Sequence, residues 1–134
     1  MSENITLMNI INMKPQTKNL WNIYLKDLKK YPLEETRYNI KKYTVFIRRN
    51  QFGGNGGYVV LPLNHDFEEL EDYEIKVNVH GGITYKEEER YGWVIGFDTS
   101  HLGDFVPNAI NCHGSHFWTD EEVLAELKNL VEQL

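Results

Sequence analysis

Two histidines and two aspartates stand at or just beyond the ends of two segments that the sequence predicts to be β-strands. His80 ends one alternation of apolar and polar residues, Asp98 ends a second, and His101 and Asp104 follow in the loop beyond. Imidazole and carboxylate groups bind polar ligands, exchange protons and coordinate borderline metals. We expect the four residues to share one site at the rim of the sheet, although such groups also cap turns in a purely structural role.

Glycines and two arginines extend this candidate site. Gly81 and Gly82 follow His80, and a residue without a Cβ lets a ligand approach the backbone closely. Arg48 and Arg49 end another predicted strand, where they either bind a phosphate or carboxylate or pair with an acid of the 66–74 stretch. The expected ligand-binding residues are Arg48, Arg49, His80, Gly81, Gly82, Thr84, Tyr85, Asp98, His101 and Asp104.

A second polar motif is Cys112-His113-Gly114-Ser115-His116. One thiol and two imidazoles are zinc ligands, but adjacent Cys and His do not match the usual ligand spacing and no second pair of ligands is evident. A polar loop over the site is therefore the preferred interpretation.

Composition limits the class of protein. The chain has 134 residues, the size of one domain, and a formal net charge of -6 that repels duplex nucleic acid and anionic membranes. Cys112 is the only cysteine, so no intrachain disulfide forms, and no long apolar run indicates secretion or a membrane span. We expect a cytoplasmic protein with a single domain over 1–134.

Periodicity predicts the elements that position these residues. Apolar residues at helical spacing indicate a helix over 18–30, and a capping box with an apolar stripe indicates a C-terminal helix from about Thr119. Strands are predicted over 43–49, 58–61, 73–80 and 91–98, with a glycine-rich turn at 53–57. Residues 1–17, closed by Pro15, fit either a strand or a helix. The order predicts an α+β fold: a helical part (1–42), then an antiparallel sheet of four or five strands with both helices packed on one face.

From Tyr43 onward the sequence resembles a family of small bacteriophage and prophage proteins. The resemblance covers about two thirds of the chain and rests on Ile47-Arg48-Arg49-Asn50, Gly57-Tyr58-Val59 leading to Pro62 and His65, Val79-His80-Gly81-Gly82-Ile83-Thr84-Tyr85, and Gly96-Phe97-Asp98-Thr99-Ser100-His101-Leu102-Gly103-Asp104 followed by Pro107. It implies a phage protein in the cytoplasm of an infected bacterium, where small phage proteins often counter host defence. It implies no particular reaction.

Three functions fit these features. The favoured one is a non-enzymatic, homo-oligomeric binder that sequesters a nucleotide-derived immune signal, with Tyr85, Phe105 or Trp118 stacking on a base. The second is a hydrolase of a phosphate-containing small molecule, in which His80, Asp98 and His101 hold a divalent metal and Asp104 acts as base or supports a ligand. The third is an inhibitor that blocks a host defence protein with the acidic 66–72 stretch. Only the hydrolase needs a cofactor, the metal ion.

Overall fold

A five-stranded antiparallel sheet carries the fold in the computed structural model, which describes residues 14–110 and 113–134. The elements are α1 (Pro15–Lys30), β1 (Glu35–Ile40), β2 (Tyr43–Arg49), β3 (Asn55–Val60), β4 (Tyr85–Glu89), β5 (Gly92–Phe97) and α2 (Asp120–Glu132), with two short 3-10 helices at Asp66–Glu69 and Asp72–Glu74. The strand order is β1-β2-β3-β5-β4. The predicted α+β class and strand number are confirmed.

Local sequence signals account for both helices. Pro15 opens α1, because its fixed φ suits a first helical position and its missing N–H has no partner there. The helix thus begins three residues before the predicted 18, and Pro15 starts it rather than closing the preceding segment. Residues 1–13 of that segment lie outside the described residues. At α2 the predicted capping box is confirmed, since Thr119 and Glu122 each accept from the other's backbone N–H.

The predicted glycine-rich turn is shorter than 53–57. Asn50 closes it, because its Oδ1 accepts from the N–H groups of Phe52 and Gly54. The last two glycines of the predicted turn belong to β3, where Gly57 pairs with Ile47 of β2. A Cβ on Gly57 would lie 2.7 Å from the Phe97 ring, so this position needs glycine for packing and not for a turn.

The predicted strand over 73–80 is wrong. A capping box between Glu71 and Glu74 closes a 3-10 turn, and the residues after it form no strand. The alternating apolar residues that predict a strand reflect burial alone, because Ile75 and Val79 lie in the core. The backbone of Asn78 binds side chains of the C-terminal helical region instead of a neighbouring strand.

Two edge strands were not predicted. Glu35–Ile40 lies within the part expected to be helical, and Tyr85–Glu89 follows the histidine motif. Both are at least half polar, so neither shows the apolar run or clear alternation of an inner strand. Each pairs along its whole length with one neighbour, β2 or β5.

The two faces of the sheet differ in what covers them. α2 packs on one face, over β2 and β3, and its residues Leu127 and Leu130 are completely buried against Val45, Val59 and Ile95. This face holds the main core, as expected for alternating side chains on an antiparallel sheet.

The opposite face carries a layer of aromatic rings and charged groups. The Arg48 guanidinium lies 5.0 Å from the Phe46 ring centroid and 4.8 Å from that of Tyr58, and it forms two hydrogen bonds to Glu89. Those bonds hold the pKa of the Glu89 carboxyl below its usual range. Burial, together with a 2.6 Å hydrogen bond to Glu89, raises the pKa of Tyr85 to about 12.

A buried polar cluster joins α1 to α2. The Asp27 carboxylate accepts hydrogen bonds from the Asp120 backbone N–H and from Asn55 Nδ2, and the Tyr38 hydroxyl donates to Asp120 Oδ1. Burial raises the pKa values of Asp27 and Asp120 above the ordinary 3.8, because a low-dielectric environment disfavours the charged form.

This cluster predicts an unusual pH dependence. The folded state protonates Asp27 at a higher pH than the unfolded chain does. The contribution of Asp27 to the free energy of unfolding therefore increases as pH falls through the raised pKa towards 3.8. Asparagine does not titrate. Denaturant unfolding at a series of pH values should therefore show the wild type gaining stability relative to Asp27→Asn as pH falls. The exposed control Asp66→Asn should show no such gain, and a constant difference between wild type and Asp27→Asn would contradict the prediction.

Candidate functional site

The site is built around the buried carboxylate of Asp104. His80 Nε2 lies 3.0 and 2.9 Å from its two oxygens, and the backbone N–H of His101 donates to one of them over 2.9 Å. Asp104 is only 3% exposed, whereas about a quarter of the His80 side chain reaches solvent. A buried carboxylate thus orients an accessible imidazole and leaves its Nδ1 as the ring nitrogen that can accept a proton.

A second imidazole lies beside a second carboxylate. His101 Nε2 is 3.1 Å from Asp98 Oδ1, although the angle is not that of a hydrogen bond. Thr84 Oγ1 and the Ser100 backbone N–H donate to the two oxygens of Asp98 and fix its orientation. Asp98 therefore sits at the end of β5 in a turn that aims it at His101.

The structure brings the four residues expected at the site together. The ring centroids of His80 and His101 are 5.4 Å apart in an edge-to-face arrangement, so the pairs His80–Asp104 and His101–Asp98 are adjacent. Although no strand leads to His80, its backbone N–H donates to Glu126 of α2 over 2.8 Å. The C-terminal helix thus supplies the positioning expected from a strand.

Ring contacts extend from His80 through Trp118 to a third histidine, His116. The Trp118 ring lies 4.5 Å from that of His80 and 5.7 Å from that of His116, and His116 Nε2 is 2.8 Å from Glu122 Oε2. We call His101, His80, Trp118 and His116 the histidine row. The sequence does not predict the His116–Glu122 pair, because the spacing of Glu122 from Thr119 indicates only a helix cap. Glu122 also fills that role, through Oε1.

The glycines after His80 differ in what surrounds them. Gly81 and Gly82 both have positive φ, +70° and +75°, in the turn that the Gly82 N–H closes by donating to Val79 O. A Cβ on Gly81 would lie 2.1 Å from His101 Nε2, whereas one on Gly82 would meet nothing within 4 Å. Gly81 is therefore the position at which the backbone approaches the site closely.

The arginines expected at the site do not reach the histidine row. Arg48 is paired with Glu35 and Glu89, so its guanidinium is not free. Neither acid belongs to the 66–74 stretch, so the alternative prediction that Arg48 pairs with an acid there is wrong. Arg49 donates to the backbone oxygens of Tyr31 and Leu33. Tyr85 belongs to the layer around Arg48, where its ring packs edge-on against Tyr58 at 5.1 Å.

Within 14–110 and 113–134, no three His, Cys, Asp or Glu side chains are arranged to hold a metal ion. His80, Asp98 and His101 therefore do not form the ligand set that the hydrolase hypothesis needs, because each imidazole faces a separate carboxylate. In the second motif, Cys112 lies outside the described residues and His113 is exposed beside Phe105.

Carboxylates outnumber imidazoles along the row. The four acids next to its three histidines are Asp98, Asp104, Glu122 and Glu126. With these acids ionised, the region is negative even if every imidazole is protonated. A concavity of about 490 Å³ lies between α1 and residues 113–115, and no residue of the row lines it.

Comparisons of the chain with protein-family models, curated proteins and solved structures find no match. None of the helices in the described part of the chain has the length and apolar character needed to cross a membrane.

The two glycines offer a matched test of the site geometry. Alanine is equally strained by the positive φ at both positions, but only Gly81→Ala pushes a methyl group into the His101 ring. We expect Gly81→Ala to lose about 1–3 kcal/mol more unfolding free energy than Gly82→Ala, as overpacking does. The imidazole NMR resonances of His80 and His101 should shift in Gly81→Ala and stay near wild type in Gly82→Ala. Equal behaviour of the two variants would contradict this packing.

Proposed function

We propose that the chain binds a small molecule through a flat heterocycle placed against the histidine row. The observation that carries the proposal is Trp118, a partly buried indole flanked by two imidazoles that carboxylates hold in place. Stacking on an aromatic side chain is worth about 1–3 kcal/mol per base. Ring nitrogens and carboxylate oxygens beside such a surface match the donors and acceptors on the edge of a nucleobase.

The local charge decides which part of a ligand the row recognises. Acids outnumber imidazoles there, and Arg48 is neutralised by Glu35 and Glu89, so the row offers a phosphate no free guanidinium. We infer that affinity comes from the heterocycle and that any phosphate of the ligand points towards solvent. A nucleotide-derived signal of a bacterial host fits this description. In the phage setting that the resemblance implies, binding such a signal would remove it from the host.

Calorimetric titration with cyclic dinucleotides, ADP-ribose-derived compounds and their parent nucleosides tests this function. We expect a nucleoside to bind about as well as its phosphorylated form, and Trp118→Ala to weaken binding about tenfold or more, since about 1.4 kcal/mol corresponds to a factor of ten. His116→Ala, which changes an exposed side chain, should also weaken binding. Tyr73→Ala, an exposed aromatic on a 3-10 helix, is the control. Absence of binding by the folded wild type across the panel would contradict the proposal.

A second function is favoured by one observation, the adjacent pairs His80–Asp104 and His101–Asp98. Two imidazoles with centroids 5.4 Å apart, each beside its own carboxylate, supply a general base and a general acid for hydrolysis of a phosphate ester. In this case one imidazole takes a proton from water while the other gives a proton to the leaving oxygen.

The fate of the ligand separates the two functions. A binder releases its ligand unchanged when denatured, whereas a hydrolase releases fragments, which mass spectrometry distinguishes. If the chain is a hydrolase, His80→Gln should lower turnover by about 100-fold or more, the usual contribution of acid–base catalysis. Tyr73→Ala should leave turnover unchanged. Recovery of intact ligand after long incubation would exclude hydrolysis of that compound.

A further inference from the structure

A second surface of interest lies at the tip of the hairpin formed by β4 and β5. Arg90 and Tyr91 are the two residues of its turn, since Glu89 and Gly92 pair on either side. Tyr91 is 62% exposed, although the predicted strand over 91–98 includes it. It lies in the turn, because β5 begins at Gly92.

The Tyr91 ring belongs to an exposed apolar patch. Tyr91 and Leu63, which is 88% exposed, line one shallow concavity of about 110 Å³ together with Pro62 and the half-buried Trp93. Single exposed apolar side chains are ordinary, but adjacent ones around a concavity are typical of interaction surfaces. Tyrosine and tryptophan are also enriched among the residues that contribute most of the binding free energy at protein interfaces.

Charges of both signs surround this patch. The Arg37 and Arg90 guanidinium groups each lie 5.5 Å from the Tyr91 ring centroid, and within the described chain neither is within ion-pair distance of a carboxylate. Glu68 and Glu88 line the same concavity. The patch therefore has an apolar centre with unpaired cations and carboxylates beside it.

We propose that this patch, which we call the hairpin-tip patch, is a two-fold interface between two copies of the chain. An interface of this symmetry places the same surface against itself, so it must carry both members of each charged pair. Arg90 of one copy would pair with Glu88 of the other, twice, while Tyr91 and Leu63 pack at the centre. Since each chain has a net charge of -6, two copies repel at long range and associate only where charges are locally complementary.

This charge pattern favours a second copy over a partner whose surface carries charge of a single sign. A partner of one sign would leave either the arginines or the glutamates against like charge. The proposal does not depend on the histidine row or its ligand, because the two surfaces share no residue.

Sedimentation equilibrium of the full chain tests the proposal. The wild type should be a dimer, and Leu63→Glu should raise the dimer dissociation constant about tenfold or more, because it would bury a carboxylate without a partner at the centre of the interface. Leu102→Glu, at a residue 99% exposed in the loop after β5, is the matched control and should leave the constant unchanged. Circular dichroism of each variant verifies folding.

A charge exchange tests the pairing itself. Arg90→Glu should weaken the dimer, and Arg90→Glu combined with Glu88→Arg should restore it, because both pairs re-form with reversed sign. A monomeric wild type at the highest soluble concentration would overturn the proposal. So would a dimer that Leu63→Glu and Arg90→Glu leave unaffected, since that dimer must use another surface.

Discussion

The hydrogen bonds of the Asp104 carboxylate are the interactions on which the candidate site depends. An ionised carboxylate removed from water costs several kcal/mol unless it is paired. Asp104 meets this requirement with the His80 ring and the His101 backbone, and its own backbone closes a turn on His101 and accepts from the N–H of Gly114. One buried residue therefore holds the loop between β5 and α2 in place and aligns the imidazoles at the surface of that loop.

The loop is also tied to the core from beneath. Asn55 of β3 is almost fully buried, and its amide donates both to Asp27 of α1 and to the backbone oxygen of Trp118. The position of the indole in the histidine row is thus coupled to the position of α1 through Asn55. Rigid support of this kind favours binding, since less conformational entropy is lost when a ligand orders the site.

The histidine row and the layer around Arg48 both combine aromatic rings with carboxylates, but to opposite effect. The Arg48 guanidinium lies between aromatic rings and is neutralised by Glu35 and Glu89. These contacts stabilise the face of the sheet opposite α2 and leave the guanidinium unavailable to a ligand. In the histidine row each imidazole faces a carboxylate and still reaches solvent. Only the second arrangement leaves polar side chains accessible to a ligand.

The sequence alone determined the features that depend on local interactions. The inner strand β2, the capped helix α2 and the proximity of Asp98, His101 and Asp104 follow from periodicity, a capping box and residue types close together in the chain. His80 joins this group through tertiary contacts with Asp104 and Glu126, because the strand predicted to position it does not form. The tertiary structure decided which partner each charged group has. Arg48 pairs with Glu89 and His116 with Glu122 because the fold brings them together, and no pattern within one segment encodes that choice.

The same reason explains the errors in secondary structure. The 73–80 alternation predicted a strand, but the fold gives this segment other partners: Ile75 and Val79 enter the core, and the Asn78 backbone bonds to side chains of Asn129 and Gln133. The polar strands β1 and β4 are stable only because β2 and β5 supply their hydrogen bonds. Sequence periodicity records burial, whereas strand pairing and site geometry depend on contacts between distant segments, which only the folded chain defines.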